Sequence, residues 1–382
     1  MAPLMTPPIT CIEDLRQLHQ RRAPRMFYDY VDSGSWTETT YRDNTTAFEK
    51  LKLKQRVMIN MDNRTLETTM LGQQYSMPVA LAPVGFTGMQ WVNGEIHAAK
   101  AAEKFGVPFC LSTMSICSIE EVADAVNRPY WFQLYVMRDR EFIKRLILRA
   151  KAAGCSALVL TTDLQIMGQR HKDIKNGLSA PPKLSIANMI NMAAHPAWSL
   201  RMLGAKRYNF GNIIGHAKGV ENLSTLADWS AEQLDPTLSW DDVKWVKDLW
   251  QGPLVIKGVM TAEDAIAATD AGADAVVVSN HGGRQLDGAP ATINVISEIA
   301  QAVGGRTELW LDSGIRSGQD VFKAIALGAN ATMIGRAYQY GLGAMGEAGV
   351  TQALEIIRNE LDITMAFCGH RDIRQVDSNV VL

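Results

Sequence analysis

The sequence predicts a (β/α)₈ barrel, because eight short apolar segments alternate with segments of helical period along its 382 residues. The apolar segments are continuous rather than alternating, which indicates parallel strands covered by helices. Polar residues follow most of these strands at their carboxyl ends, where a barrel collects its functional groups. A doubly wound open sheet would show the same alternation, and the strand count alone does not exclude it.

The predicted elements divide the chain into an extension, a barrel and a tail. The strands are expected at Val79–Gly85, Phe109–Thr113, Tyr130–Val136, Ala157–Asp163, Pro253–Val259, Ala275–His281, Glu308–Gly314 and Ala331–Arg336. The helices between them are expected at Asn93–Phe105, Ile119–Val126, Arg140–Ala153, Trp240–Trp250, Ala262–Ala271 and Gln319–Leu327. We therefore predict an N-terminal helical extension over residues 1–78, the barrel over 79–366 and a C-terminal tail over 367–382.

A long insertion, from about Leu164 to Ser239, separates the fourth strand from the helix before the fifth. Loops of this length are usually functional or mobile. From Ile174 to Val220 it has no Asp or Glu, and apolar residues surround its basic ones, which are Lys175, Lys183, Arg201, Lys206, Arg207 and Lys218. This composition suits the surface of an anionic bilayer. A flap over the active site or a contact between subunits would have the same composition.

Composition limits the classes of function. The net charge of -2 and pI of about 6.4 provide no positive field for a nucleic-acid partner. The five cysteines are scattered without a C-x-x-C pair, which favours reduced thiols in the cytoplasm over disulfides, and we predict no metal site. The first ten residues do not resemble a signal peptide, and no apolar run is long enough to span a bilayer.

Six of the eight predicted strands end in polar or ionisable residues, among them Gln133, Thr161, Lys257 and Asp312. Buried strands rarely end in this way unless the side chains face a shared site. The last two loops open helices with small residues and arginine, at the positions where barrels often bind phosphate. Ordinary tight turns have a similar composition. The sequence contains neither a dinucleotide-binding G-x-G-x-x-G motif nor a P-loop.

The segment after the sixth strand, Ser279–Gly288, reads S-N-H-G-G-R-Q-L-D-G. His281 can take a proton near neutral pH, and Arg284 can hold a carboxylate through two parallel hydrogen bonds. The pair suits a substrate that carries both a carboxylate and a removable proton. A histidine on a loop is more often structural, so this pair alone does not establish an enzyme.

The same segment resembles the signature of the FMN-dependent enzymes that oxidise L-2-hydroxy acids, a family that includes glycolate oxidase, mandelate dehydrogenase and L-lactate dehydrogenases. The resemblance covers nearly the whole chain and is strongest to the bacterial membrane-associated L-lactate dehydrogenases. Its further motifs are L-A-P-V-G (Leu81–Gly85), L-S-T (Leu111–Thr113), W-F-Q-L-Y-V (Trp131–Val136), V-I-K-G (Val255–Gly258) and D-S-G-I-R (Asp312–Arg316). It implies oxidation of an L-2-hydroxy acid, first of all L-lactate, to the 2-keto acid; L-mandelate or a broad range of such acids are alternatives.

The resemblance also implies a role for each matching residue. His281 matches the active-site base, and Asp163 the carboxylate that holds and polarises its imidazole. Lys257 matches a lysine beside flavin N1 that stabilises reduced, anionic FMN. The substrate site would comprise Tyr30, Gly85, Met114, Tyr135, Arg170 and Arg284. The FMN site would comprise Ala82, Pro83, Val84, Ser112, Gln133, Thr161 and Ser279, with Asp312 at the ribityl chain and Gly314, Arg316, Gly335 and Arg336 at the phosphate.

Partners follow from the same resemblance. The membrane-associated members of the family carry their membrane contact in this insertion, so we expect residues 184–210 to bind the cytoplasmic face of the inner membrane, with quinone as electron acceptor. Without that contact, O₂ or a soluble acceptor would serve, and an oxidase would produce hydrogen peroxide. The family is often tetrameric, which implies a homotetramer.

Two other classes of function fit the sequence less well. A phosphate-sugar isomerase would keep the phosphate loops but would not need Lys257, His281 and Arg284 together. A binding module would not need so many ionisable residues at one barrel end.

Overall fold

Three helices begin the part of the chain that the computed structural model describes, which comprises residues 8–178, 185–217, 220 and 233–382. They are α1 (Ile12–Arg22), α2 (Arg25–Val31) and α3 (Thr39–Lys50). A two-stranded antiparallel hairpin follows, β1 (Thr68–Met70) and β2 (Gln73–Tyr75). The extension predicted as helical therefore also contains a hairpin, whose three-residue strands are too short to show a period in the sequence.

Eight parallel strands form the second sheet. They are β3 (Val79–Leu81), β4 (Cys110–Leu111), β5 (Trp131–Leu134), β6 (Ala157–Thr161), β7 (Leu254–Val259), β8 (Ala275–Val278), β9 (Glu308–Asp312) and β10 (Ala331–Ile334). Their order is β3-β10-β9-β8-β7-β6-β5-β4, and a parallel bridge between Leu81 and Phe109 links the two edges. The sheet is therefore a nearly closed barrel, which confirms the (β/α)₈ prediction over the open sheet.

Each predicted strand is present, but most end earlier than predicted. The strand expected to reach His281, for example, ends at Val278. His281 itself has a φ of 57°, in the left-handed region that strands do not use. The chain therefore leaves the sheet before polar residues such as His281, and their side chains can line the cavity at the carboxyl end of the barrel.

Helices cover the outside of the barrel, and three of those described lie in the insertion. They are α4 (Thr87–Gln90), α5 (Gly94–Phe105), α6 (Ile119–Ala123), α7 (Arg140–Ala152), α8 (His171–Lys175), α9 (Ile186–Ala193), α10 (Pro196–Leu203), α11 (Trp240–Trp250), α12 (Ala262–Asp270), α13 (Thr292–Val303), α14 (Gly318–Ala326), α15 (Arg336–Met345) and α16 (Glu347–Phe367). Reciprocal side-chain caps start several of them, such as Ser118 with Glu121 at α6 and Ser317 with Asp320 at α14. Within the described residues, no helix has the length and apolar character needed to cross a membrane.

The amino end of the barrel is filled by aromatic side chains. Trp131 and Trp310 stack inside it with ring centroids 5.0 Å apart, and Tyr75 of the hairpin meets the edge of Trp131. Met70 is fully buried in the same cluster. Because this end is closed by packing, the carboxyl end is the side left open for a ligand.

The insertion is fixed to the N-terminal extension through α10. Trp198 stacks on Phe27 of α2 with centroids 5.0 Å apart, and its indole N–H donates to the carbonyl of Met89 at 3.0 Å. Met202, one turn later, is buried in the same small cluster. The predicted membrane segment, residues 184–210, therefore has buried side chains that pack against the extension. Residue 184 and the predicted basic residues Lys183 and Lys218 lie outside the described residues.

We predict that Gly341→Ala destabilises the protein by about 1–3 kcal/mol, because the last two helices cross at glycine. A Cβ on Gly341 would lie 2.1 Å from the carbonyl oxygen of Gly349, and backbone cannot move aside as a side chain can. Thermal unfolding of the two proteins measures the difference. Gly204→Ala is the control, since its Cβ would meet only the Arg201 carbonyl oxygen at 3.5 Å. Equal losses for both variants would contradict the explanation.

Candidate active site

A cavity of about 570 Å³ lies at the carboxyl end of the barrel, within the range of ~300–1,000 Å³ that small-molecule sites occupy. Most of the predicted site residues line it, namely Tyr30, Ala82, Pro83, Val84, Gly85, Ser112, Met114, Tyr135, Arg170, Lys257, His281, Arg284, Asp312, Gly314, Arg316, Gly335 and Arg336. Four predicted residues do not line it. Thr161 is buried beside Lys257 in the sheet. The other three are Gln133, Asp163 and Ser279, and each forms a hydrogen bond with a lining residue. The structure thus brings predicted residues from the ends of all eight strands, together with Tyr30 of the extension, to one place.

His281 is paired with Asp163. Nδ1 of the imidazole donates to Oδ1 of the carboxylate at 2.9 Å, so Nε2 is the ring nitrogen available to a ligand. Burial lowers the pKa of His281 below its ordinary value, although Asp163 opposes the change. The imidazole is therefore neutral near pH 7, as a general base must be. Gly258 permits the pair, because a Cβ there would lie 2.8 Å from the Asp163 side chain.

Lys257 is held by a buried carboxylate and a hydroxyl. Its Nζ lies 2.8 Å from Oδ2 of Asp312, and it donates to Oγ of Ser279 at 2.9 Å. Ser279 in turn donates to Asp312 at 2.6 Å. Burial disfavours the charge of Lys257, but the neighbouring carboxylates raise its pKa above the ordinary value. The structure therefore fixes a positive charge at the floor of the cavity.

Two arginines also line the cavity. The Arg284 guanidinium stacks over the Tyr30 ring at 4.7 Å, and its Nη1 donates to the Tyr30 carbonyl at 2.6 Å. Arg170 donates through Nε to the Arg284 carbonyl at 3.3 Å. Through Nη2 it also donates to Gln285 at 3.2 Å. Two guanidinium groups beside a histidine base form a site that could bind a carboxylate and take up a proton.

The extension contributes residues that the sequence did not single out. Carbonyls of Val31 and Ser33 accept hydrogen bonds from Arg336 at 2.8 and 2.6 Å. Between them, the Asp32 carboxylate accepts bonds at 2.6 Å from the hydroxyls of Tyr28, Tyr41 and Tyr340. These bonds, with the nearby Arg336, hold the pKa of Asp32 far below its usual range despite burial. Only the tyrosine-rich Y-D-Y-V-D run marked this segment in the sequence.

Two further residues at the site were also missed. Asp173 of α8 lines the cavity beside both arginines. Gln285 donates to the carbonyls of Asp163 and Ile166 at 2.7 and 3.0 Å, which ties the start of the insertion to the histidine loop. Gln285 lies inside the recognised motif, but its partners could not be read from the sequence.

Buried polar atoms beside the cavity fit the polar edge of a flavin. Oε1 of Gln133 accepts from Ser112 at 3.1 Å, but its Nε2 is buried without a hydrogen-bond partner among the described residues. The same holds for Oγ1 of Thr161. Buried polar groups seldom remain unpaired. The amide N–H of Gln133 and the hydroxyl of Thr161 could therefore bind a ligand edge that carries both hydrogen-bond acceptors and donors. Among the residues described, no cluster of three His, Cys, Asp or Glu could hold a metal ion.

Comparison with known proteins decides the family: residues 19–382 match the model of FMN-dependent dehydrogenases. The chain belongs to the FMN-dependent dehydrogenase family. It is 44% identical over 378 residues to an L-lactate dehydrogenase of Caulobacter vibrioides, covering 98% of this chain and 97% of that one. A Pectobacterium atrosepticum L-lactate dehydrogenase is 44% identical over 372 residues, covering 97% and 96%. FMN is therefore the cofactor, as the resemblance implied.

Solved structures agree with the assignment to the FMN-dependent dehydrogenases. The monotopic membrane protein (S)-mandelate dehydrogenase superposes with a TM-score of 0.93 and 36% identity, covering 98% of this chain and 99% of that one. Mandelate oxidase with (S)-4-hydroxymandelic acid superposes with a TM-score of 0.83 and 35% identity, covering 96% of both. The barrel and the extension are thus shared with enzymes of this family.

We predict that Lys257→Met costs about 3–5 kcal/mol of stability in this FMN-dependent dehydrogenase, because it leaves the Asp312 carboxylate buried without its cation. The side chains of the pair are only 5% and 10% exposed. Chemical denaturation of the apoprotein measures the loss. Lys244→Met is the control, since Lys244 and its partner Asp241 are 59% and 90% exposed, and it should cost less than about 0.5 kcal/mol. A similar small loss for Lys257→Met would contradict the burial argument.

Proposed function

We propose that the chain oxidises an L-2-hydroxy acid, L-lactate in the first place, to the 2-keto acid. The observation that carries the proposal is the meeting of the His281–Asp163 pair with Arg284 and Arg170 in a cavity whose floor holds Lys257. L-lactate is favoured because the relatives named for it are 44% identical, against 36% for the mandelate dehydrogenase. Gly85 and Met114 would shape the pocket for the substrate side chain, where a Cβ on Gly85 would already lie 3.2 Å from Tyr30 Oη.

The side chains divide the work between binding and proton transfer. Bound FMN supplies the acceptor for the two electrons that the substrate loses. Arg284 and Arg170 bind the carboxylate, and the hydroxyls of Tyr30 and Tyr135 orient the substrate. Nε2 of His281 takes up a proton, and the Asp163 carboxylate stabilises the resulting imidazolium. The lowered pKa of His281 keeps it unprotonated before the substrate arrives.

The residues proposed for FMN are those predicted from the resemblance. Gln133 Nε2 and Thr161 Oγ1 would bind the ring, with Ser112, Ser279 and the backbone of residues 82–84 beside it. Lys257 would place its charge against the ring and Asp312 would meet the ribityl chain. Gly314, Arg316, Gly335 and Arg336 would bind the phosphate. Three N–H groups of Arg336 donate to the carbonyls of Val31, Gly282 and Ser33, which leaves two of its five for a phosphate.

An anaerobic titration of the purified holoenzyme tests this function. We expect L-lactate to bleach the oxidised flavin band, and D-lactate to leave it unchanged. The variant His281→Gln should keep its flavin but reduce it about 10²–10⁴-fold more slowly, since the base is lost. For the wild type, the reduction rate at limiting substrate should fall as the pH drops through a His281 pKa below 6.5, because the imidazole must be neutral.

Other outcomes of the titration separate the alternatives. Bleaching by L-mandelate and not by L-lactate would favour a mandelate dehydrogenase, and rapid re-oxidation in air with hydrogen peroxide would indicate an oxidase. A flavin band that none of these acids bleaches would reject the proposed reaction.

The surface of the insertion supports a proposal of peripheral membrane contact at the cytoplasmic face, with quinone as acceptor. The helices α9 and α10 pack together and expose apolar side chains to solvent. The four most exposed are Ile186, Ile190, Leu200 and Leu203, with exposures of 73%, 66%, 70% and 77%. We call these four the apolar face. An (S)-mandelate dehydrogenase with the same fold is a monotopic membrane protein.

We also propose that the chain forms a homotetramer, and the resemblance to the family is the ground for this proposal.

Exposed lysines on the insertion and apolar residues at the cavity entrance also support this membrane proposal. Lys175 and Lys206 are exposed, so they could meet anionic headgroups, whereas Arg207 is paired with Glu121 and Arg201 covers the ring of Trp91. Met167 and Ile174 are exposed and also line the cavity, so apolar surface continues to its entrance. An apolar acceptor such as a quinone could therefore reach the cavity from a bilayer.

We predict that Leu200→Asp with Leu203→Asp lowers binding to vesicles containing anionic phospholipids at least about tenfold, since each leucine would lose its burial in lipid. Vesicle flotation measures the bound fraction. Substitution is preferable to deletion because Trp198 and Met202 on the same helix are buried. The matched control is Leu148→Asp with Ile363→Asp, at positions of 51% and 53% exposure on the barrel helices. Unchanged flotation of the α10 variant would reject the membrane proposal.

A further inference from the structure

The buried carboxylate of Asp173 lies beside Arg284 and Arg170, the two arginines proposed to bind the substrate carboxylate. Asp173, on α8 of the insertion, is only 7% exposed and lines the cavity. Its Oδ2 lies 3.7 Å from Nη2 of Arg284 and 3.9 Å from Nη1 of Arg170. These are the two guanidinium groups proposed to bind the substrate, so Asp173 shares their field.

Among the described residues, the contacts of the Asp173 carboxylate with the two arginines are electrostatic rather than hydrogen-bonded. Both separations exceed hydrogen-bond length, and Oδ1 of Asp173 and Nη2 of Arg284 are buried without hydrogen-bond partners in the described part of the chain. Asp32, by contrast, accepts three bonds of 2.6 Å. Asp173 therefore is not built as a structural anchor, and it leaves donors of Arg284 available for another carboxylate.

Asp173 offsets part of the positive charge at the proposed substrate site. Near that site Arg170, Arg284 and Lys257 are positive, and Asp163, Asp173 and Asp312 are negative; Arg316 and Arg336 also line the cavity but are the two proposed for the FMN phosphate. A hydroxy-acid anion that approaches Arg170 and Arg284 is therefore repelled by Asp173. Close like charges in a buried setting interact strongly, because little water screens them.

We infer that Asp173 is an internal competitor of the substrate carboxylate: it neutralises part of the field of Arg170 and Arg284, weakens the binding of every carboxylate ligand, and so speeds release of the 2-keto acid. This inference rests on the proposed function, because it takes the two arginines as the carboxylate site. Asp173 would act through the arginines, which makes it a positioning and affinity-setting residue rather than a catalytic one. Its place on the insertion would couple ligand affinity to the conformation of that segment.

The competition should weaken as the pH falls. Burial raises the pKa of Asp173, while Arg284 and Arg170 oppose the rise; Asp29 from α2 and Lys172 on the same helix also face it. Protonation removes its negative charge, so carboxylates should bind more tightly at lower pH. His281 would contribute in the same direction when it is protonated, so the pH dependence is measured on the His281→Gln protein, which lacks that imidazole.

The test measures the dissociation constant of pyruvate, a carboxylate that oxidised flavoenzyme cannot oxidise further by this reaction, from the perturbation of the flavin spectrum. We expect Asp173→Asn holoenzyme to bind pyruvate at least about tenfold more tightly than wild type, the size that close charge pairs show. KM for L-lactate should fall in parallel. Asp29→Asn is the matched control: Asp29 also lies at the contact of α2 with α8, where Asn176 donates to it at 2.7 Å, but it pairs with Arg25. It should change the constant less than about twofold.

The outcomes are distinguishable from failure of the proposed function. Weaker or unchanged pyruvate binding by Asp173→Asn, with flavin content and melting temperature retained, overturns the inference. If Asp173→Asn does not fold, the His281→Gln protein decides: its pyruvate affinity should rise as the pH falls, and a flat profile overturns the inference. Failure of L-lactate to bleach the wild-type flavin would instead reject the proposed reaction, and it is measured without any change at Asp173.

Discussion

The buried ion pair between Lys257 and Asp312 is the interaction on which the site depends. Neither charge is stable in an apolar barrel alone, so β7 and β9 must deliver the two side chains to the same depth, with Ser279 after β8 between them. The second pair of the site lies on the strand ends to either side of β7: Asp163 follows β6 and His281 follows β8, and their side chains form the 2.9 Å bond. A parallel barrel supplies this convergence because its strand ends all lie on one side.

The extension completes the site rather than merely covering the barrel. Arg284 and Arg336 project from barrel loops, and their guanidinium groups donate to backbone carbonyls of residues 30–33 in the extension. Asp32 holds this short segment in place through three tyrosine hydroxyls, one of which comes from α15 of the barrel. The substrate side and the phosphate side of the cavity are therefore tied to one stretch of backbone, so displacement of the extension would disturb both.

Features with a local signature could be predicted from the sequence, and features made by distant contacts could not. Continuous apolar runs predicted all eight strands, and the residues after them predicted the cavity lining. The strands were overextended because residues such as His281 continue the apolar or polar pattern while the backbone turns away at positive φ. Asp32 and Asp173 were missed because each is an ordinary surface-type residue until residues far along the chain are brought against it. The hairpin that closes the amino end was missed because three residues show no period.

The insertion joins three properties that the barrel alone would not have. It carries the apolar face on α9 and α10, the apolar rim of the cavity at Met167 and Ile174, and the Arg170–Asp173 pair on and before α8. Gln285 links the start of this segment to the histidine loop, while Trp198 links its later part to α2. A change in the insertion would therefore alter the electrostatics of the carboxylate site as well as the access of an acceptor. The residues that would meet the membrane and the residues that would set ligand affinity thus belong to one structural unit.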